Sequence, residues 1–158
     1  MIDSEGEITV ELLAVEHSGE IQGLSSDETD LLPEMIQEIA TQMTDYYAGA
    51  GYQEPWVAYV SRHEGEIVGG GTFKSTPYDD QVEIAYYTLP EYENQGMATA
   101  TVQALIDLAI QTDEELKIVA QTLPEKNASN HVLQKLGFTF FDVVDHPQDG
   151  PVWEWHLF

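Results

Sequence analysis

From Val102 to Ile110 the apolar residues Val102, Leu105, Ile106, Ala109 and Ile110 recur at i, i+3, i+4, i+7 and i+8, with Gln103, Asp107 and Gln111 between and after them. This is the period of an amphipathic helix. Immediately upstream, Gln81 to Leu89 is rich in β-branched and aromatic residues and is closed by Pro90, which has no N–H to give a ladder, so the order there is strand, loop, helix. Further strands are predicted over Ile8 to Val15, Trp56 to Arg62, Glu66 to Lys74 and Leu116 to Thr122. Phe138 to Val144 and Val152 to Phe158 are expected to pair across the turn at His146 to Gly150. Ile36, Ile39, Met43, Tyr46 and Tyr47 place a helix over Leu31 to Ala48, with Pro33 in its first turn and Gly49 and Gly51 ending it. A last helix opens at Asn127 and closes at Gly137, where glycine tolerates the left-handed conformation. The sum is one α/β (α+β) domain over residues 1–158, a mixed and largely antiparallel sheet flanked by helices.

The loop between the fourth strand and its helix, Leu89-Pro-Glu-Tyr-Glu-Asn94-Gln95-Gly96-Met97-Ala98-Thr99-Ala100, carries the chemistry. Gly96 has no side chain and Ala98 only a methyl, so a phosphate can approach the main chain from Gln95 to Thr99. Unpaired N–H donors and the positive end of the helix dipole meet it there. Neither Gly-x-x-x-x-Gly-Lys-Ser/Thr nor Gly-x-Gly-x-x-Gly occurs, which weakens the case for nucleotide hydrolysis or dinucleotide binding.

Glu93-x-x-Gly96-x-Ala98 at a strand-to-helix junction resembles the pyrophosphate loop Gln/Arg-x-x-Gly-x-Gly/Ala of the GNAT superfamily of acyl-CoA-dependent N-acetyltransferases, departing from it only at the first position. A second stretch, Gln121 to Phe138 with Asn127-Ala-Ser129 and Leu136-Gly137-Phe138, is similar to the family's late helix. Val82-Glu83-Ile84 and Asn-Ala-Ser look most like the branch containing the ribosomal-protein N-terminal acetyltransferases. The resemblance covers about Trp56 to Phe158. It implies the GNAT fold, acetyl-CoA as cosubstrate without a metal, and direct acetyl transfer to a small amine or a protein N-terminus. Coenzyme contacts then fall to Leu89, Asn94, Gln95, Gly96, Met97, Ala98, Thr99 and Asn127.

Direct transfer needs a neutral amine, although a lysine amine titrates near 10.4 and an α-amine near 7.7–8.0. Glu83, mid-strand among Val82, Ile84 and Ala85, is the candidate base; the alternative is a solvent-facing or structural carboxylate. Many family members carry a tyrosine four residues before the late Gly-Phe, but Leu133 stands there and cannot donate a proton. Ser129, one turn earlier on the same face, is the candidate partner of the departing sulfur, against a capping role; Tyr86 and Tyr87 are the other phenols in range. Glu93 is expected to turn its side chain away while the backbone binds.

Charge and composition narrow the rest. The 158 residues hold 29 Asp and Glu against 5 Lys and Arg, a net charge of −24, with a pI near 4.1. This disfavours nucleic acid and anionic membranes and suits a cationic acceptor, although acidic residues spread along the whole chain also describe a solvated, salt-adapted surface. Cysteine is absent, which excludes disulfides, thiolate metal sites and an acyl-cysteine route. His17, His63, His131, His146 and His156 lack metal-ligand spacing. The start, Met-Ile-Asp-Ser-Glu-Gly-Glu, has no basic leader, so a cytoplasmic location is expected, as monomer or homodimer. A non-catalytic acyl-CoA-binding module and an acidic interaction protein are the competing classes.

Overall fold

The computed structural model describes residues 8–124 and 128–157. Seven strands form one sheet in the order β1-β2-β3-β4-β5-β7-β6, with β1 at Glu11–Ala14, β2 at Ala58–His63, β3 at Glu66–Phe73, β4 at Gln81–Thr88, β5 at Lys117–Thr122, β6 at Thr139–His146 and β7 at Gly150–Leu157. Every pairing is antiparallel except β4 with β5. A parallel pair needs a crossover; helix α3, Met97–Thr112, supplies it.

Alternation along the strands sorts side chains onto two faces. Val82 and Ile84 of β4, with Phe73, Ile118 and Ala120, pack against Val102, Leu105, Ile106 and Ala109 of α3. Leu13, Val15, Ala58, Val60 and Leu89 pack instead on Ile36 and Ala40 of α2, Glu34–Ala50. Two side-chain pairs satisfy polar groups in the interior. Thr101 Oγ1 donates to the Met97 carbonyl at 2.9 Å, so its 2.8 Å contact with Ser61 Oγ is one in which Ser61 donates. Trp155 Nε1 donates to Thr122 Oγ1 at 3.0 Å, which makes Trp155 a packing residue of the sheet.

Three consecutive glycines in β3 face the end of β4: Gly69 opposite Thr88, Gly70 opposite Tyr87 and Gly71 opposite Tyr86. A Cβ on Gly71 would stand 2.7 Å from Leu105 Cδ1, and one on Gly70 would stand 2.5 Å from Tyr87 Oη. The run thus lets α3 settle on one face and an aromatic ring lie across the other.

Most expected elements are present with shifted ends. β1 covers only the second half of Ile8 to Val15. α2 starts at Glu34 rather than Leu31, with Pro33 extended at the N-cap position, because a separate short helix, α1 at Ser26–Asp30, precedes it. α1 is held by a capping box in which Glu28 N–H donates to Ser25 Oγ and Ser25 N–H donates to Glu28 Oε1, both at 3.1 Å. A 3₁₀ turn over Pro90–Tyr92 follows β4. The last helix, α4, is described over Ala128–Lys135 and ends at Gly137 with φ of 95°. Asn127, the segment Met1 to Glu7 and Phe158 lie outside the described residues. Among the described residues no helix is long and apolar enough to cross a membrane.

Candidate active site

β4 runs on to Thr88 and β5 to Thr122, but their pairing stops at Ile84 opposite Ala120. Beyond that point the two parallel strands separate. A cavity of about 570 Å³ lies beside this end of β4, lined by Tyr86, Tyr87 and Thr88 of β4, by Tyr92, Glu93, Asn94 and Gly96 to Thr99 of the loop and the start of α3, and by Ser129, His131, Val132 and Lys135 of α4.

The loop is shaped by two left-handed residues, Asn94 at φ of 63° and Gly96 at φ of 85°. Asparagine tolerates this region and glycine has no penalty there. Gly96 is the N-cap of α3 and makes no side-chain cap, and the helix's first backbone bond is Ala100 N–H to Gly96 carbonyl at 3.1 Å. The N–H groups of Met97, Ala98 and Thr99 therefore have no acceptor within the helix. They belong to residues that line the cavity.

Across the opening, the Tyr86 hydroxyl donates to the Ser129 carbonyl at 3.1 Å and so bridges β4 and α4. Burial pushes the Tyr86 phenol up to about 12. Burial does the same to Tyr87, whose hydroxyl is buried without a hydrogen-bond partner, close over Gly70. β3 lies on the side of β4 away from β5, so this hydroxyl points away from the opening.

The chain contains a match to the family model of the acetyltransferase (GNAT) domain over residues 19–139, more than half its length. It belongs to the GNAT acetyltransferase family. Solved structures share the fold at low sequence identity. RimL, the ribosomal L7/L12 alpha-N-protein acetyltransferase, in complex with coenzyme A, is 17% identical over 99% of this chain and 96% of that one, with a TM-score of 0.66. RimJ from Mycobacterium smegmatis, in complex with a CoA disulfide, is 18% identical over 86% and 66%, with a TM-score of 0.63. The microcin C7 self-immunity acetyltransferase MccE, in complex with acetyl-CoA and AMP, is 14% identical over 78% and 69%, with a TM-score of 0.62. No curated protein matches by sequence.

GNAT membership implies acetyl-CoA, and the residues present suit it. An uncapped helix start beside a positive-φ glycine offers donors to a pyrophosphate. The unpaired edge of β4 past Ile84 offers backbone groups to the amide-bearing arm. His131 and Lys135, one helical turn apart on α4, face the same cavity. Lys135 is one of only five Lys and Arg in a chain of net charge −24.

The expected coenzyme residues divide. Asn94, Gly96, Met97, Ala98 and Thr99 line the cavity. Gln95 turns its side-chain amide to the Glu91 carbonyl at 3.2 Å. Leu89 is buried against α2, and its N–H donates to the Val68 carbonyl at 2.8 Å. Ser129 lines the cavity. Glu83 lies on the opposite face of β4 from Val82 and Ile84, ion-paired with Lys74 at 3.0 Å. Glu93 is among the residues that line the cavity. Leu133 is fully buried in the α3 core, so the family's tyrosine position here is packing. Sequence reasoning passed over Thr88, Tyr92, His131 and Lys135. The i, i+4 spacing of His131 and Lys135 was the one signal for the last two.

Among the described residues, no group of three or more His, Asp or Glu side chains is arranged to hold a metal ion.

Proposed function

We propose that this chain moves an acetyl group from acetyl-CoA to a primary amine, either a small amine or a protein N-terminus, by direct transfer. The observation that carries the proposal is the opening between β4 and β5 with the uncapped start of α3 at its mouth. The fold shared with ribosomal-protein acetyltransferases supports an amine or peptide acceptor. The charge of −24 supports a cationic one, since a field of that sign concentrates cations near the surface.

In this proposal Met97, Ala98 and Thr99 hold the pyrophosphate through backbone N–H groups, with Asn94, His131 and Lys135 around it. Ser129, in the first turn of α4, stands beside the arm; Asn127, outside the described residues, is assigned to the arm from the family resemblance alone. The thioester supplies a carbonyl open to attack and a thiolate as leaving group. Glu83, fixed on the other face of β4, takes the proton of the incoming ammonium so that the nitrogen attacks with a free lone pair. The test is thiol release against a panel of amines and N-terminal peptides, with acetyl-CoA binding measured in parallel.

Burial of Leu133 favours one second reading, a coenzyme-binding module that does no chemistry. Saturable binding without amine-dependent thiol release distinguishes it.

A further inference from the structure

We infer that Tyr86 is a catalytic residue of this acetyl transfer, its hydroxyl leaving the Ser129 carbonyl to hydrogen-bond the departing coenzyme sulfur as a thiolate. The inference rests on the proposed function and deepens it. Tyr86 lies two residues past the last β4–β5 pair, where the strands have parted. Its hydroxyl spans the opening, at 3.1 Å from a carbonyl on α4, so a ligand arm entering between β4 and α4 meets it. Two other positions are removed from the role. Leu133 has no polar atom and is sealed in the core. The Tyr87 hydroxyl is directed over β3.

A hydrogen bond, rather than a proton, is what Tyr86 has to give. Its phenol is held up to about 12 by burial, whereas an ordinary thiol titrates near 8.5, so moving the proton from oxygen to sulfur is uphill. The step balances without it. The amine nitrogen forms its bond to the carbonyl carbon, the C–S bond breaks with its electron pair going to sulfur, and the nitrogen's second proton passes to Glu83, which has by then released the ammonium proton to solvent. The thiolate takes a solvent proton when the coenzyme leaves. Glu93, His131, Lys135 and Tyr92 are the other charged or titratable residues lining the cavity, with Tyr87, whose hydroxyl is turned toward β3. Any field they exert on the sulfur is the same in wild type and in Tyr86→Phe.

The experiment follows the thiolate absorbance of bound coenzyme A against pH in wild type and Tyr86→Phe, with acetyl-CoA affinity and kcat alongside. The variant keeps the ring and loses one atom. Expected are an affinity for acetyl-CoA within about twofold, a bound thiol titrating about one pH unit or more higher in the variant, and kcat lower by roughly 10- to 100-fold, the range of a hydrogen bond to a charged group. In wild type alone, the affinity for coenzyme A relative to its desulfo analogue should rise about tenfold as pH passes through the thiol's titration. Identical thiol titrations in the two proteins, or a wild-type affinity ratio that ignores pH, overturn the inference. If Tyr86→Phe shifts the thiol but wild type acetylates no amine, the contact stands and the proposed function falls. If wild type binds no coenzyme A, both fall.

Discussion

Lys74 Nζ lies 3.0 Å from Glu83 Oε2, and the Lys74 N–H donates to the Glu83 carbonyl at 2.9 Å, so the candidate base is tied to its neighbour by main chain and side chain together. The Tyr46 hydroxyl of α2 donates to the Lys74 carbonyl at 2.8 Å, which fixes the pair relative to the helix. A pair this exposed adds little stability, on the order of 1 kcal/mol or less. Its value under the proposed function is orientation. Glu83→Gln should therefore leave the melting temperature and acetyl-CoA affinity nearly unchanged while lowering kcat by about 100-fold or more, the usual scale of a lost base. Steady-state kinetics beside calorimetry checks this, and an unchanged kcat across the pH range would remove Glu83 from the mechanism.

Gly96→Val strikes the loop itself. At φ of 85° a β-branched residue is strained, and its Cβ would stand 3.3 Å from Ile8 Cδ1. The strain is roughly 1–2 kcal/mol. Urea unfolding should show a loss of that order, and calorimetry should show coenzyme A affinity reduced at least tenfold. Full affinity in a folded variant would mean that the α3 start does not bind the pyrophosphate.

Gly71→Ala should destabilise without help from any ligand. The new methyl would lie 2.7 Å from Leu105 Cδ1 and 3.2 Å from the Ala85 carbonyl, an overpacked contact of about 1–3 kcal/mol. Combined with Leu105→Ala, the total loss should fall short of the sum of the two single losses, because the second change removes the atom the first one meets. Additive losses in a thermal double-mutant cycle would show that the glycine answers to something other than α3.

Alkaline pH should unfold this protein through its phenols. Burial raises Tyr47, Tyr59, Tyr86 and Tyr87 above their ordinary value near 10. Below pH 10 these groups are neutral in both states and stability is unaffected. Above it, the unfolded chain ionises first, so stability falls as pH rises toward 12, by about 1.4 kcal/mol per pH unit at most for each phenol that titrates only on unfolding. Urea midpoints between pH 8 and 11 check this: flat at first, then steeply lower. A midpoint that stays constant to pH 11 would contradict the burial of these hydroxyls.

The parts legible in the sequence are those where local rules and tertiary structure agree. The α3 stripe, the strand before it and Gly96 could be read because periodicity, the proline stop and the glycine requirement all act within a few residues. Gly137 closed α4 as expected for the same reason. α1 was missed although Ser25-x-x-Glu28 is a capping box in plain sight, because Asp27, Glu28, Thr29 and Asp30 offer no apolar period to follow it. The roles of Gly69, Gly70 and Gly71 depend on α3 and on Tyr87 across the sheet, contacts that no local pattern carries. The parting of β4 from β5 is likewise a property of the pair. It leaves Tyr86 free to line the cavity, whereas Leu133 packs into the core.

The most direct test of the central claim is calorimetric titration of the protein with acetyl-CoA at low and moderate salt, followed by thiol release in the presence of amines and N-terminal peptides. Saturable binding with amine-dependent thiol release is expected. Binding should tighten at moderate salt, because screening over a Debye length of about 8 Å weakens the repulsion between a polyanionic coenzyme and a chain of net charge −24. No binding at either salt, or binding with no thiol release for any amine, would contradict the assignment of this chain as an acetyl-CoA-dependent amine acetyltransferase.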